Sequence, residues 1–426
     1  MRARMMIVVA LVAAAPSLSG AQTIAITGGR VYPVSGPMIE NGTVLIRDGQ
    51  IVAVGSSVAI PADAQRIDAT GKVVTPGLVN AGTQLGLVEI GAVVGTRESS
   101  ARGRDGIAAA FRPWEGLNPT SVLISPARNA GITTVLIAPS GGLISGQAGI
   151  IHLVPGSATD MLLRTPVAMV ATLGPARGPN GMPRAETIMR LREILDDARV
   201  YRTRRADFER AQTRTLAASR LDLEALLPVL DGRLPMVIEA DKASDIEAAM
   251  RVAKEYNLKL IIAGGAEAWQ IAEKLSAARI PVLTGAMNNI PESFSTLGQR
   301  QENAGILSKA GVPVSVVGNA GGGDEEAFNV RNVRYEAGNA VAYGMDWNTA
   351  LRSITLTPAE TFGVADRVGS LAPGKMADVV IWSGDPLEFA SQPERVFIRG
   401  RQVNEPSRQD LLEQRYKTLP PNYRTP

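Results

Sequence analysis

Between Met236 and Val317, short aliphatic runs alternate with longer amphipathic stretches, and no other feature restricts the fold as strongly. Met236-Val237-Ile238-Glu239 predicts a strand. Ser244 to Tyr256 predicts a helix, with Ser244 as N-cap and Glu247 three residues later as its capping-box partner. Ile246, Ala249, Met250 and Ala253 supply its apolar face. Leu258 to Ile262 predicts the next strand and Glu267 to Ala278 the next helix; Pro281-Val282-Leu283, Thr296 to Ala310 and Val312 to Val317 continue the alternation. Strand follows strand at roughly 25 residues, which favours a parallel sheet and suits a (β/α) barrel. A doubly wound open sheet fits the same pattern. No Gly-x-Gly-x-x-Gly stands between a strand and a helix, which disfavours a dinucleotide-binding fold.

Both flanks are β-rich. Thr23 to Thr27 alternates and ends at Gly28-Gly29, and Thr43 to Arg47 is joined to Ile51 to Val54 through Asp48-Gly49, a hairpin signal. Ala377 to Trp382 and Val396 to Arg399 repeat this texture near the other end, so the two pieces are expected to build one small sandwich. From Glu186 to about Leu226 the chain is helical and Arg-rich, with Ile188, Leu191 and Leu195 on one face. It is expected to be a surface barrel helix with a solvated basic face, or else a partner-binding arm. Leu419 to Tyr423 predicts an extended tail.

At the start, Arg2 and Arg4 precede an apolar run from Met5 to Pro16, and the small residues Ser19 and Ala21 suit cleavage before Gln22. That run is too short to span a bilayer. The expectation is export, to a bacterial periplasm, with no membrane span afterwards. The 44 Lys+Arg against 41 Asp+Glu fall to 42 against 41 once Arg2 and Arg4 are removed. Such balance offers nothing for nucleic acid or anionic lipid to recognise. With no Cys, disulfides, Cys-based zinc sites and a lipoprotein anchor are excluded.

Thr75-Pro76-Gly77-Leu78-Val79-Asn80-Ala81-Gly82-Thr83-Gln84 resembles the first barrel strand of the amidohydrolase superfamily, nearest to its imidazolonepropionase-like members, where the pattern is Pro-Gly-Leu-Ile-Asp-x-His-x-His. Thr357-Pro358-Ala359-Glu360-Thr361-Phe362-Gly363 is similar to that family's Asn/Thr-Pro-Ala-x-x-Leu-Gly block. Gly369-Ser370-Leu371-Ala372-Pro373-Gly374-Lys375-Met376-Ala377-Asp378 is similar to its Gly-Ser-Leu-x-Pro-Gly-Lys-x-Ala-Asp block. The resemblance spans about Ile24 to Asn404. It implies an α/β fold: a (β/α)8 TIM-type barrel over residues 77–362 and a β-sandwich from residues 22–76 and 363–405, the composite domain of metal-dependent hydrolases. Residues 1–21 are then the signal segment and 406–426 the tail.

In active relatives two His from the first strand, one each from the fifth and sixth, and an Asp from the eighth bind zinc or a similar divalent metal. Aligned with this chain, those places are Gly82, Gln84, Glu239, Gly264 (or Gly265) and Asn319. Glycine has no ligand atom, amides are poor zinc ligands, and Asn319 cannot take the proton that the Asp accepts. The chain has one His, His152, which lies in a β-like run and is expected to be structural. No metal or other cofactor is expected. Glu239 needs a partner, for which Lys242 or nearby amides are candidates. Asp324-Glu325-Glu326 predicts a helix N-terminus, or with Glu239 an oxygen-only site. Gly141 to Gln147 predicts a Gly-rich barrel loop; it lacks a phosphate-loop ending, and Ser145 has no His beside it in sequence to serve as base.

Two functions follow from these residues. The first is a non-catalytic or altered homologue that keeps the barrel as a binding or partner module: a homo-oligomer, a complex with an active relative, or a receptor for a small molecule at the mouth. The second is an exported hydrolase of cyclic amides or dipeptides, with Glu239 as the candidate catalytic base, aided by Asp241 or Lys242.

Overall fold

The structure is a computed structural model that describes residues 23–101, 103, 105–173, 183–287, 291, 293–318, 325–403 and 405–417. The expected signal segment, Asn319, Asp324 and the end of the expected tail lie outside the described residues, as do the side chains of Glu325 and Glu326. The chain opens with β1 (Thr23–Val31), β2 (Ile39–Arg47), β3 (Gln50–Gly55), β4 (Gln65–Asp68) and β5 (Val73–Pro76). Asp48 and Gly49 adopt φ of 53° and 76° between β2 and β3, the left-handed pair that a two-residue hairpin of matching twist requires.

A second set of strands follows: β6 (Leu78–Thr83), β7 (Ile132–Ile137), β8 (Ile144–His152), β9 (Leu162–Thr172), β10 (Met236–Ala240), β11 (Leu260–Gly264), β12 (Val282–Thr284) and β13 (Val314–Val316). They form one eight-stranded sheet in sequence order, the wall of a nearly closed barrel. The first and last strands meet through side chains. A Cβ at Gly82 would stand 3.1 Å from the Cβ of Val317, and one at Gly318 would stand 3.3 Å from Asn80 Nδ2. Residues alternate along each strand. Val237, Ile261 and Leu283 join Ala81, Leu136 and Ile150 inside the barrel, while Ile238, Ile262 and Val282 pack outward against the helices.

Strand direction departs from the expected all-parallel wall. β8 runs antiparallel to β7 and to β9. The cause is loop length: only residues 138–143 separate β7 from β8, whereas a parallel return needs a dozen or more residues. Gly141 and Gly142, at φ of 88° and 77°, turn the chain back. The expected Gly-rich loop is therefore shorter than its sequence suggests, since Ile144 to Gln147 is buried strand.

Helices pack outside the barrel. Arg184–Thr203 lies against Arg220–Leu230 and Ala243–Tyr256. It buries Leu191 and Leu195 and leaves Ile188 partly covered. Its arginines face carboxylates at the surface, among them Arg192 with Glu255 and Arg202 with Asp231. The helix expected over Thr296–Ala310 is reduced to Asn303–Lys309.

After the barrel come β14 (Val379–Trp382), β15 (Pro393–Ile398) and β16 (Arg401–Gln402), which return to the first sheet. Its order is β16-β15-β14-β5-β1-β2-β3, with β4 beside β1, so both flanks of the chain build it. Its β3 edge also meets the segment before β14, where Ile51 N–H donates to Lys375 O and Ala377 N–H to Gly49 O. Ile26, Ile46, Val74, Val379 and Phe397 share a core distinct from the barrel's. The segment expected as tail contains a helix, Arg408–Tyr416, begun by a capping box of Ser407 and Asp410.

Candidate functional site at the barrel mouth

Glu239 lies two residues beyond inward-facing Val237, so the period of the strand turns its side chain into the barrel near the carboxyl end of β10. It is half-buried. Thr172, at the end of neighbouring β9, donates its hydroxyl to Glu239 Oε2 at 3.3 Å. The expected pairing with Lys242 is not among the bonds described. Lys242 precedes the helix Ala243–Tyr256, and its charge acts on Asp245 instead. Asp245 is held above the usual carboxylate range by burial, which outweighs the opposing pull of Arg184 and Lys242.

Gln84 follows β6 and is buried; its carbonyl accepts from Leu87 and Val88 N–H. β6 and β10 stand four places apart in an eight-stranded wall, so Gln84 and Glu239 rise from opposite sides of one mouth. Gly82 is two residues earlier, and the Val317 side chain occupies the space beside it. Gly264 ends β11 at φ 84°, a left-handed conformation, and a Cβ there would lie 2.5 Å from Asp241 Oδ1. Gly265 is left-handed too, and its N–H donates to Ala240 O. This turn brings the Asp241 carboxylate to the Ala266 N–H at 3.4 Å.

Of the buried, unpartnered hydroxyls in the barrel wall, the sequence singled out Ser145 alone. Thr134, Ser145 and Ser315 have no hydrogen-bond partner among the described residues. Thr134 and Ser315 alternate with Leu136 and Val317, which places them on the inner face. No local signal distinguishes such a residue from a strand Thr or Ser facing solvent.

His152 lies away from the mouth. It pairs in register with Thr134, near the start of β7, whereas the carboxyl end of β7 at Ile137 pairs with Gly149. Its side chain is fully buried, with Nε2 2.8 Å from Asp378 Oδ2. The other Asp378 oxygen accepts from Arg399 N–H at 3.0 Å. The imidazole is therefore structural, as its sequence context predicts. Among the described residues no group of three or more His, Asp or Glu could hold a metal ion.

The family model described as "Amidohydrolase family" matches residues 240–403. The crystal structure of an amidohydrolase from Thermotoga maritima MSB8 is similar with a TM-score of 0.80 at 27% identity, over 90% of this chain and 100% of that one. The chain is similar to the amidohydrolase family over these residues. Amidohydrolase tasK of Hapsidospora irregularis is 26% identical over 393 residues, 84% of this chain. The chain spans only 39% of the length of that curated relative. An adenosine deaminase from Xanthomonas campestris with bound Zn shares the fold at 17% identity and a TM-score of 0.54, over 92% of this chain and 97% of that one.

Proposed function

We propose that this amidohydrolase-family chain is a non-catalytic or catalytically altered homologue that has lost the metal-dependent hydrolysis of C–N bonds. Its barrel is of the (β/α)8 type with one strand reversed, and the sheet from both flanks is the β-sandwich of the metal-dependent hydrolase composite domain. The observation that carries the reading is at Gly82. Where active relatives present the first imidazole, the space beside the backbone is taken by Val317, an apolar side chain that seals the barrel seam. Gly264 supports it, because a side chain on its left-handed backbone would be strained and would have to displace the Asp241 carboxylate. Gln84 offers a neutral amide, and His152 is engaged with Asp378. A catalytic divalent metal needs about three protein ligands of fixed geometry and the right charge, and the described residues do not fit that demand.

The barrel then acts as a binding or partner module, with a small molecule at the mouth or with a second chain, either a copy or an active relative. We further propose that it is exported to a periplasm. No described helix is long and apolar enough to cross a membrane.

The reading is tested by metal analysis of protein purified without an affinity tag, joined to a hydrolysis screen of cyclic amides and dipeptides with and without chelator. The expected result is far less than one equivalent of zinc and no chelator-sensitive turnover. About one equivalent of zinc, removed together with activity, overturns it.

One observation favours a second reading. Glu239 is half-buried at the mouth and oriented by the Thr172 hydroxyl, as a general base acting without metal would need to be. In that case the substrates are cyclic amides or dipeptides.

A further inference from the structure

A cavity of about 980 Å³ lies away from the mouth. It is lined by Arg164 and Val167 at the start of β9, by Leu234 and Pro235 before β10, by Lys259 to Ile261 at the start of β11, and by Ile280 and Pro281 before β12. It therefore opens at the amino-terminal face of the barrel, on the far side from Gln84 and Glu239. Two helix ends and residues 360–363 complete the wall.

The charge around this cavity is one-sided. Its two carboxylates are already engaged: Glu247 with Lys274, and Glu360 with Arg352. Lys274 and Arg352 also hold Glu247 and Glu360 as the only acids there, and Arg233 turns to Asp231. Arg251, Lys254, Lys259 and Arg279 remain, all exposed; the charge of Arg251 also acts on Glu247, one turn back on its helix, and the other three have no carboxylate within ion-pair distance among the described residues. A helix C-terminus favours nearby cations, which accounts for Lys254. Lys259 sits in the connection before β11 and Arg279 beyond the end of Ala272–Ala277, so that effect does not explain the convergence of all four. The floor is apolar: Val167, Ile261 and Phe362 are buried beneath the charged rim. By contrast, the arginines on the neighbouring helix Arg184–Thr203 are met by acids.

We propose that this cavity binds a small organic molecule that carries two or more negative charges on an apolar body. Converging cations over low-dielectric walls focus a positive potential that attracts such a ligand, and the apolar floor gains from covering its uncharged part. This site is independent of the mouth and goes beyond the proposed function.

The test uses bis-ANS, a dianionic bis(anilinonaphthalene sulfonate), as a fluorescent probe of the full chain. We expect one saturable site whose affinity falls about tenfold between 20 and 300 mM salt, as attraction between exposed charges is screened. Arg251→Glu with Lys254→Glu should weaken binding by roughly tenfold or more, and the neutral pair Arg251→Gln with Lys254→Gln should weaken it less. A control pair on the neighbouring helix, Arg192→Glu with Arg202→Glu, should leave it unchanged. Inorganic tripolyphosphate should compete weakly, since it has the charge without the apolar body. Binding that ignores salt and both cavity pairs overturns the proposal, as does the absence of a saturable site when melting shows every variant folded.

Discussion

Glu239 is the residue on which the two functions part. Its carboxylate stands in the barrel mouth, and the Thr172 hydroxyl donates to it. A glutamine can accept the same hydrogen bond, so Glu239→Gln should leave the fold intact, with a urea midpoint close to that of the parent. If the chain is non-catalytic, the variant changes nothing in a hydrolysis screen, which is the outcome we expect. A measurable parental turnover that drops by roughly a hundredfold would instead identify a general base. Sequence showed the acid and its place on a strand. It did not show Thr172, because that partner comes from another strand. Gly264 carries the same lesson from the other side. As a letter it reads as a missing imidazole, whereas its φ of 84° and the Asp241 oxygen show a backbone turn that needs glycine.

At the scale of elements, the helix Ala243–Tyr256 has the right length and face but not the expected cap. Ser244 makes no capping bond. Glu267, from the segment after β11, accepts from the Ala243 N–H at 3.0 Å and satisfies one of the free donors of the first turn. Glu247 is drawn to Lys274 and is not free to close a capping box. Glu267→Ala should therefore cost about 1 kcal/mol in chemical denaturation, the usual scale for a lost cap, while Ser244→Ala should be nearly neutral. The opposite order of the two losses would restore the local cap. Between β10 and β13 the sequence located the strands, where helical connections make the period unambiguous, but it overran the helix before β13. It failed at β8, where a short Gly-rich connection converts a parallel crossing into a hairpin.

For the whole molecule, the barrel and the sheet from the two flanks are joined through buried polar contacts. His152 on β8 meets Asp378 beside β14. Arg128, buried near the barrel's base, donates to Leu153 O and Val154 O and pairs with Glu405. Asp378→Ala would strand the His152 imidazole and the Arg399 N–H together, so we expect a loss of about 2–5 kcal/mol, read from denaturant midpoints at constant slope. A loss below about 0.5 kcal/mol would mean that the contact adds nothing to the union of the two sheets. By itself the sequence determined the alternating core of the barrel, the Asp48-Gly49 hairpin, the return of the far flank to a β-rich partner, and a ligand pool of one imidazole and no thiol. These follow from period, turn chemistry and composition, which are local or additive. Only the tertiary structure decided that β8 runs backwards, that Val317 fills the space beside Gly82, that Asp378 claims the imidazole, and that unpaired cations gather at the barrel's other end. Each of those depends on which residues, distant along the chain, come to share one volume, and no local pattern encodes that.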